Sequence, residues 1–182
     1  MIQKGIEMVR YADDPVLLCR SQEEANKALQ ILSDWTKTMA LILHPTKTCI
    51  VNAVTEGFNF LGYRFVRNIR IVGDKSIRKL KDTIRSKTKR SRGDSLSVII
   101  HDVNKTLRGW FEYFKHSRPC SFTPLDRWIR VRLRSILRKQ FKMKHGAWGG
   151  ENHIRWPNAF FADHGLYCLV KARKSACQPC HR

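Results

Sequence analysis

The chain has 182 residues, 42% of them apolar, enough to bury a core in one domain or two small ones. Its 35 Lys and Arg against 15 Asp and Glu give a net charge of +20, and no apolar run approaches the roughly 18 residues a membrane span requires. Residues 1–10 lack the apolar core of a signal peptide, so composition points away from membrane and export, toward a cytoplasmic protein with a polyanionic partner.

The charge is uneven. Residues 1–63 carry 6 basic and 7 acidic side chains, whereas residues 64–182 carry 29 and 8. Nucleic acid is the natural partner for a field this one-sided, with a merely soluble basic protein or a ribosome-like binder as the alternative. Anionic membrane fits less well, because the basic helices also carry a core-sized apolar face. Six cysteines, at positions 19, 49, 120, 168, 177 and 180, are scattered and read as reduced thiols.

In chain order, the β-rich runs Ile6 to Arg10 and Val16 to Cys19 flank Tyr11-Ala12-Asp13-Asp14, predicting a hairpin. Neighbouring side chains of a strand point to opposite faces, so two adjacent acids serve one site only where a turn breaks the alternation. Such a pair suits Mg²⁺, which takes hard oxygens, keeps waters and accepts substrate phosphates. A plain solvent-exposed Asp-Asp turn is the competing reading. Pro15 biases Asp14 toward an extended backbone and bears on its geometry.

Ser21-Gln22-Glu23-Glu24 is a capping box, after which Ala25, Ala28, Leu29, Leu32, Trp35 and Met39 recur at helical spacing, predicting a helix over one face of a small sheet. Leu41 to Leu43, Cys49 to Val51 and Phe58 to Phe65 read as strands, and Gly73-Asp74 as a boundary. Ser76 is expected to cap a helix carrying Ile77, Leu80 and Ile84, followed by a mobile basic segment, Arg85 to Arg92. Leu96, Ile99, Ile100, Val103, Leu107, Trp110, Phe111 and Phe114 trace one apolar stripe, so its aromatic residues read as core rather than as base-stacking groups.

Thr123-Pro124-Leu125-Asp126 supplies a helix start. Ile129, Leu133, Ile136 and Leu137 then form one face while Arg130, Arg134, Arg138 and Lys142 fall at four-residue steps on another, widened by Arg127, Arg132, Lys139 and Lys144. No acid lies between Arg127 and Lys144, so these cations lack local partners and read as phosphate contacts. Trp156-Pro157-Asn158 opens the last expected helix, with Phe160, Phe161, Leu166, Tyr167 and Leu169 closing a bundle. Cys177-Gln178-Pro179-Cys180-His181 fits a haem-attachment pattern, but without an export signal it reads as a terminal tail; zinc would need a further ligand such as His164 or Cys168.

Arg10-Tyr11-Ala12-Asp13-Asp14 resembles the catalytic box of reverse transcriptases. Leu43-His44-Pro45-Thr46-Lys47-Thr48 and Phe60-Leu61-Gly62-Tyr63-Arg64-Phe65 resemble the next two palm motifs of group II intron enzymes. Leu107 to Phe114 and Arg155 to Phe161 resemble their maturase region, domain X. The resemblance spans residues 6 to 170 and implies an α+β fold: a C-terminal remnant of the palm at 1–73, an all-α thumb and maturase bundle at 74–170, and a flexible basic tail at 171–182.

The family's third catalytic Asp, from an upstream strand, has no counterpart, so the expectation is a C-terminal part without polymerase activity of its own. By the same resemblance Asp13 and Asp14 are the catalytic Mg²⁺ ligands and Tyr11 packs against the growing end. Lys47 and the Gly62 turn lie near template or primer, and Arg127, Arg130, Arg132, Arg134, Arg138 and Lys142 meet RNA phosphates. The implied partners are group II intron RNA, DNA or an RNA–DNA duplex, and a complementing fingers-and-palm fragment. A nonenzymatic RNA-binding maturase module, part of a polymerase completed by another chain, and a decayed gene remnant all stay open.

Overall fold

A computed structural model describes residues 6–143 and 150–177, and the chain divides between Asn52 and Ala53 into two compact units. In the first, β1 (Glu7–Tyr11) and β2 (Asp14–Leu18) form an antiparallel hairpin closed by the Tyr11↔Asp14 pair. Asp13 therefore sits in the two-residue turn and Asp14 opens the strand. Pro15 faces Arg10, and because the pair next to the hydrogen-bonded closing pair of a two-residue turn is a non-hydrogen-bonded one, its missing N–H costs the ladder nothing.

The expected helix follows as α1 (Gln22–Thr38). The Ser21 hydroxyl accepts from the Glu24 N–H at 3.1 Å, and the Glu24 carboxylate accepts from the Arg20 N–H at 2.6 Å, a capping box shifted by one residue. Its buried side is narrower than the apolar spacing suggests: Ala28 and Thr36 are buried while Trp35 and Met39 are exposed. Leu41 to Leu43 and Cys49 to Val51 are not strands. A turn in which the Thr48 N–H donates to the His44 carbonyl at 3.0 Å separates them, neither run pairs among the described residues, and Ile42 is 94% exposed.

The second unit opens with a three-stranded meander, β3 (Phe58–Phe60), β4 (Tyr63–Val66) and β5 (Ile69–Val72). The run read as strand over Phe58 to Phe65 is folded back at Leu61-Gly62, where the resemblance implied a turn, and β5 was not anticipated. Both turns hold two residues at positive φ: Leu61 and Gly62 at 48° and 78°, Arg67 and Asn68 at 49° and 57°. That is the primed geometry matching strand twist, although Leu-Gly and Arg-Asn are not its usual dipeptides.

Helices α2 (Asp74–Lys87), α3 (Leu96–Phe114) and α4 (Thr123–Gln140) form the body of this unit. Short helices α5 (Gly150–Arg155), α6 (Asn158–Asp163) and α7 (Leu169–Cys177) complete it. The stripe on α3 is buried as expected through Ile99, Val103, Leu107, Phe111 and Phe114, and meets Ile129, Leu133 and Ile136 of α4. Gly73, not Ser76, stands at the start of α2, and Phe122, not Thr123, precedes α4.

The boundary expected at Gly73 is bridged by hydrogen bonds. The Gly62 carbonyl accepts from the Gly73 N–H at 2.9 Å and from the Ser76 hydroxyl at 3.1 Å, and the Tyr113 hydroxyl donates to the Leu61 carbonyl at 2.9 Å. Sheet and helices are one packed body. Arg85 to Arg92 is not free either: α2 runs to Lys87, and Arg92 pairs with Asp94 and, at 3.0 Å, with Asp102.

The tail expected from residue 171 is helical through Cys177. Asp126, buried in α4, explains why: its carboxylate accepts from the Leu169 and Val170 N–H groups, each at 3.1 Å, capping α7 from another element. Cys180 and His181 of the terminal motif lie outside the described residues.

Gly62 provides a test of the junction. A Cβ there would lie 2.9 Å from Ser76 Oγ and 3.3 Å from Phe114 Cζ, on a backbone at φ +78°. Gly62→Ala should lose about 1–3 kcal/mol in urea unfolding. Gly93→Ala, with no atom within 4 Å of its Cβ, should change little.

Candidate nucleic-acid interface

Asp13 and Asp14 are both exposed at the hairpin end, and the Arg10 side chain donates from Nε to the Ala12 carbonyl at 2.8 Å, bracing the turn. Tyr11 is 62% exposed. Among the described residues no group of three or more His, Cys, Asp or Glu side chains is arranged to hold a metal ion. Two adjacent carboxylates fit part of the shell of one Mg²⁺, whose remaining ligands are waters and phosphates. They do not amount to the several carboxylates that clamp a pair of ions. Lys47 is exposed, in the turn after His44.

On α4 the row Arg130, Arg134, Arg138 and Lys142 does not behave as one face. Arg134 is only 4% exposed: Nε donates to the Trp156 carbonyl and Nη2 to Asn158 Oδ1, each at 2.9 Å, and the guanidinium lies 5.1 Å from the Phe161 ring centroid. Burial, then the Arg130 charge, holds its pKa below the usual arginine range. It clamps the chain around α6 and is withdrawn from the surface. Four-residue steps drift around a helix of 3.6 residues per turn, so a row that starts on one flank does not stay on one face.

Arg127, Lys139 and Lys142 are exposed and Arg130 and Arg138 half-buried, while Lys142 lies just beyond the helix end at φ +49°. Lys144 lies outside the described residues.

Arg132 points to the other flank. Nε donates to Thr88 Oγ1 at 2.7 Å and Nη2 to the Thr88 carbonyl at 3.0 Å, which closes the end of α2. Burial lowers its pKa, with Arg85 and Arg90 adding to the effect. Lys81, Arg85 and Arg132 all lie over the half-buried Trp128 ring, 5.7, 5.6 and 5.4 Å from its centroid. The ring's negative face partly offsets their repulsion. Sequence reading missed this cluster because its members come from two helices; Trp128 between Arg127 and Arg130 was the available sign.

The candidate interface therefore consists of the outer face of α4 and the adjoining side of α2. From Arg127 to Met143 it contains no acid. Such a surface can attract a phosphate backbone and present an aromatic ring within it.

Residues 77–156 match the group II intron maturase-specific domain, and residues 1–65 match the reverse transcriptase (RNA-dependent DNA polymerase) family. The chain belongs to the group II intron reverse transcriptase/maturase family. No curated protein matches it. The maturase match takes in most of α2, all of α3 and α4, and ends at Trp156, the residue whose carbonyl Arg134 holds. The reverse transcriptase match contains the Asp13-Asp14 hairpin and ends at Phe65, inside β4. Reverse transcriptases of this family work with a divalent metal. No helix among the described residues is long and apolar enough to cross a membrane.

The two kinds of arginine on α4 separate by stability. Arg134→Ala should cost about 2–4 kcal/mol in urea unfolding, since two charge-assisted bonds are lost and the carbonyl of the buried Trp156 is left unpaired. Arg138→Ala, at a half-exposed site, should shift stability by no more than about 0.5 kcal/mol.

Proposed function

We propose that this maturase binds group II intron RNA through the cationic surface of α4 and α2, and that this binding helps the RNA reach its splicing-competent fold. The observation that carries the reading is the run from Arg127 to Met143, whose exposed side is basic and holds no carboxylate. Arg127, Arg130, Arg138, Lys139 and Lys142 meet phosphates, with Lys81 and Arg85 extending the track beside Trp128. A folded RNA concentrates negative charge, so neutralising it at several points favours compact over extended forms of the transcript. Lys47 serves as a separate contact from the first unit.

Salt dependence tests this directly. Filter binding of an intron transcript across a KCl series should show a steep linear fall of log affinity with log salt. The triple variant Arg127→Gln, Arg138→Gln, Lys139→Gln should flatten that slope by about 2–3, because each phosphate contact contributes roughly 0.7–0.9. A slope equal to wild type would show that α4 is not the RNA face.

A second reading, part of an RNA-directed DNA polymerase completed by a separate fingers-and-palm chain, is favoured by the hairpin that sets Asp13 in the turn and Asp14 at the strand start. Asp13 and Asp14 would hold Mg²⁺, which neutralises phosphate charge during nucleotidyl transfer. Primer extension with the supplied fragment should then appear, and fall to background in Asp13→Ala. Extension unaffected by that change would exclude a role for the hairpin.

A further inference from the structure

A second cationic feature lies at the β4–β5 turn, the opposite end of the meander from Leu61-Gly62. A concave site of about 530 Å³ is lined there by Arg70, His116, Arg118, Arg173, Asn68 and Phe65, among others, and none of its lining residues is acidic. The three arginines lie far apart in sequence, on β5, just before the 3-10 turn Pro119–Ser121, and on α7.

Two of them are held by their inner nitrogens. Arg70 Nε donates to the His116 carbonyl at 3.3 Å and Arg173 Nε to the adjacent Ser117 carbonyl at 2.9 Å. Their outer nitrogens make no hydrogen bond or ion pair among the described residues, and the Arg70 guanidinium lies 5.4 Å from the Tyr63 ring centroid. Arg118 is tied by its backbone N–H to the Arg70 carbonyl at 2.9 Å, and its guanidinium makes no hydrogen bond or ion pair among the described residues. The Ser117 hydroxyl beside them is fully buried without a hydrogen-bond partner.

We infer that this pocket is a phosphate-binding site, distinct from the α4 face, in which Arg70, Arg118 and Arg173 grip the oxygens of one phosphate group. Three guanidiniums drawn to one concavity without a carboxylate repel one another, and an anion removes that penalty. Planar forks fixed at Nε present paired N–H donors, the geometry that suits phosphate oxygens. The alternative, that each arginine is only a staple for the 116–118 segment, accounts for Arg70 and Arg173. It does not account for the Arg118 guanidinium, which is exposed at the pocket and makes no hydrogen bond among the described residues.

The phosphate is either an internal diester of an RNA strand or a terminal monoester. The inference rests on the RNA-binding reading for this source alone, and not for the pocket's preference for the anion.

Calorimetric titration of the full chain with inorganic phosphate in chloride buffer tests it. One saturable site is expected, weakened roughly tenfold or more in Arg118→Gln, since a charge-assisted donor pair is lost. Lys105→Gln, which removes an exposed charge on α3, should leave it unchanged. Circular dichroism melting confirms folding, and Arg173→Lys should bind more weakly than wild type although the charge is kept. No saturable site, or equal affinity in Arg118→Gln, overturns the proposal.

Two short RNAs differing only in a 5′-phosphate identify the source. A preference for the phosphorylated strand that disappears in Arg118→Gln assigns a terminal phosphate; equal weakening of both strands assigns the backbone. Unchanged affinity for both removes RNA as the source. Failure of wild type to bind either RNA, with the phosphate titration intact, would sink the RNA reading and leave the pocket standing.

Discussion

Burial of one face of α4 governs how the second unit displays its charge. Ile129, Leu133, Ile136 and Leu137 are held in the core against α3, and a helix fixed on one side has no freedom to choose which cations it shows on the other. Arg134 comes to rest against the Trp156 segment and Arg132 against the end of α2, so both become structural. Arg127, Lys139 and Lys142 reach solvent. The same helix turns Asp126 inward, where it caps α7, and α7 in turn carries Arg173 to the phosphate pocket. A single apolar contact surface thus distributes six basic residues among three roles.

The meander and the helices are joined just as firmly. The two acceptances at the Gly62 carbonyl, with the reciprocal hydroxyl bonds of Tyr63 and Tyr113 to the Tyr113 and Leu61 carbonyls, weld the β3–β4 turn to α2 and α3. Sequence kinship and packing consequently divide the chain at different places. By family, β3 and most of β4 belong with the reverse transcriptase segment that ends at Phe65; by contacts they belong with the helices, and the division falls at Asn52. Shared ancestry records where motifs lie, whereas a compact unit follows from which apolar surfaces have each other to bury against.

Much of this was legible in sequence, for physical reasons. The α3 stripe and the α1 capping box are local, periodic signals, and the two acids at the hairpin needed only a turn between two β-rich runs. What escaped depended on partners distant in the chain. Nothing near Arg134 announces the Trp156 carbonyl 22 residues away, and nothing near Asp126 announces α7. Ser76 was read as a cap because Ser favours caps; its hydroxyl instead donates to Gly62. The runs at 41–43 and 49–51 had strand composition but no edge to pair with, and composition cannot supply an edge.

The contrast between the units bears on how the chain acts. The first offers two carboxylates on an exposed hairpin, where water competes strongly for any ion they hold and the pair supplies only part of a coordination shell. The second offers two kinds of cation, Arg127, Lys139 and Lys142 reaching into solvent and Arg70 and Arg173 held at Nε before any ligand arrives. Preorganisation matters most for the second, because holding like charges together in advance removes a cost that binding would otherwise meet. Under the RNA-binding reading proposed above, the arginines held at Nε are the cations best prepared to meet a phosphate.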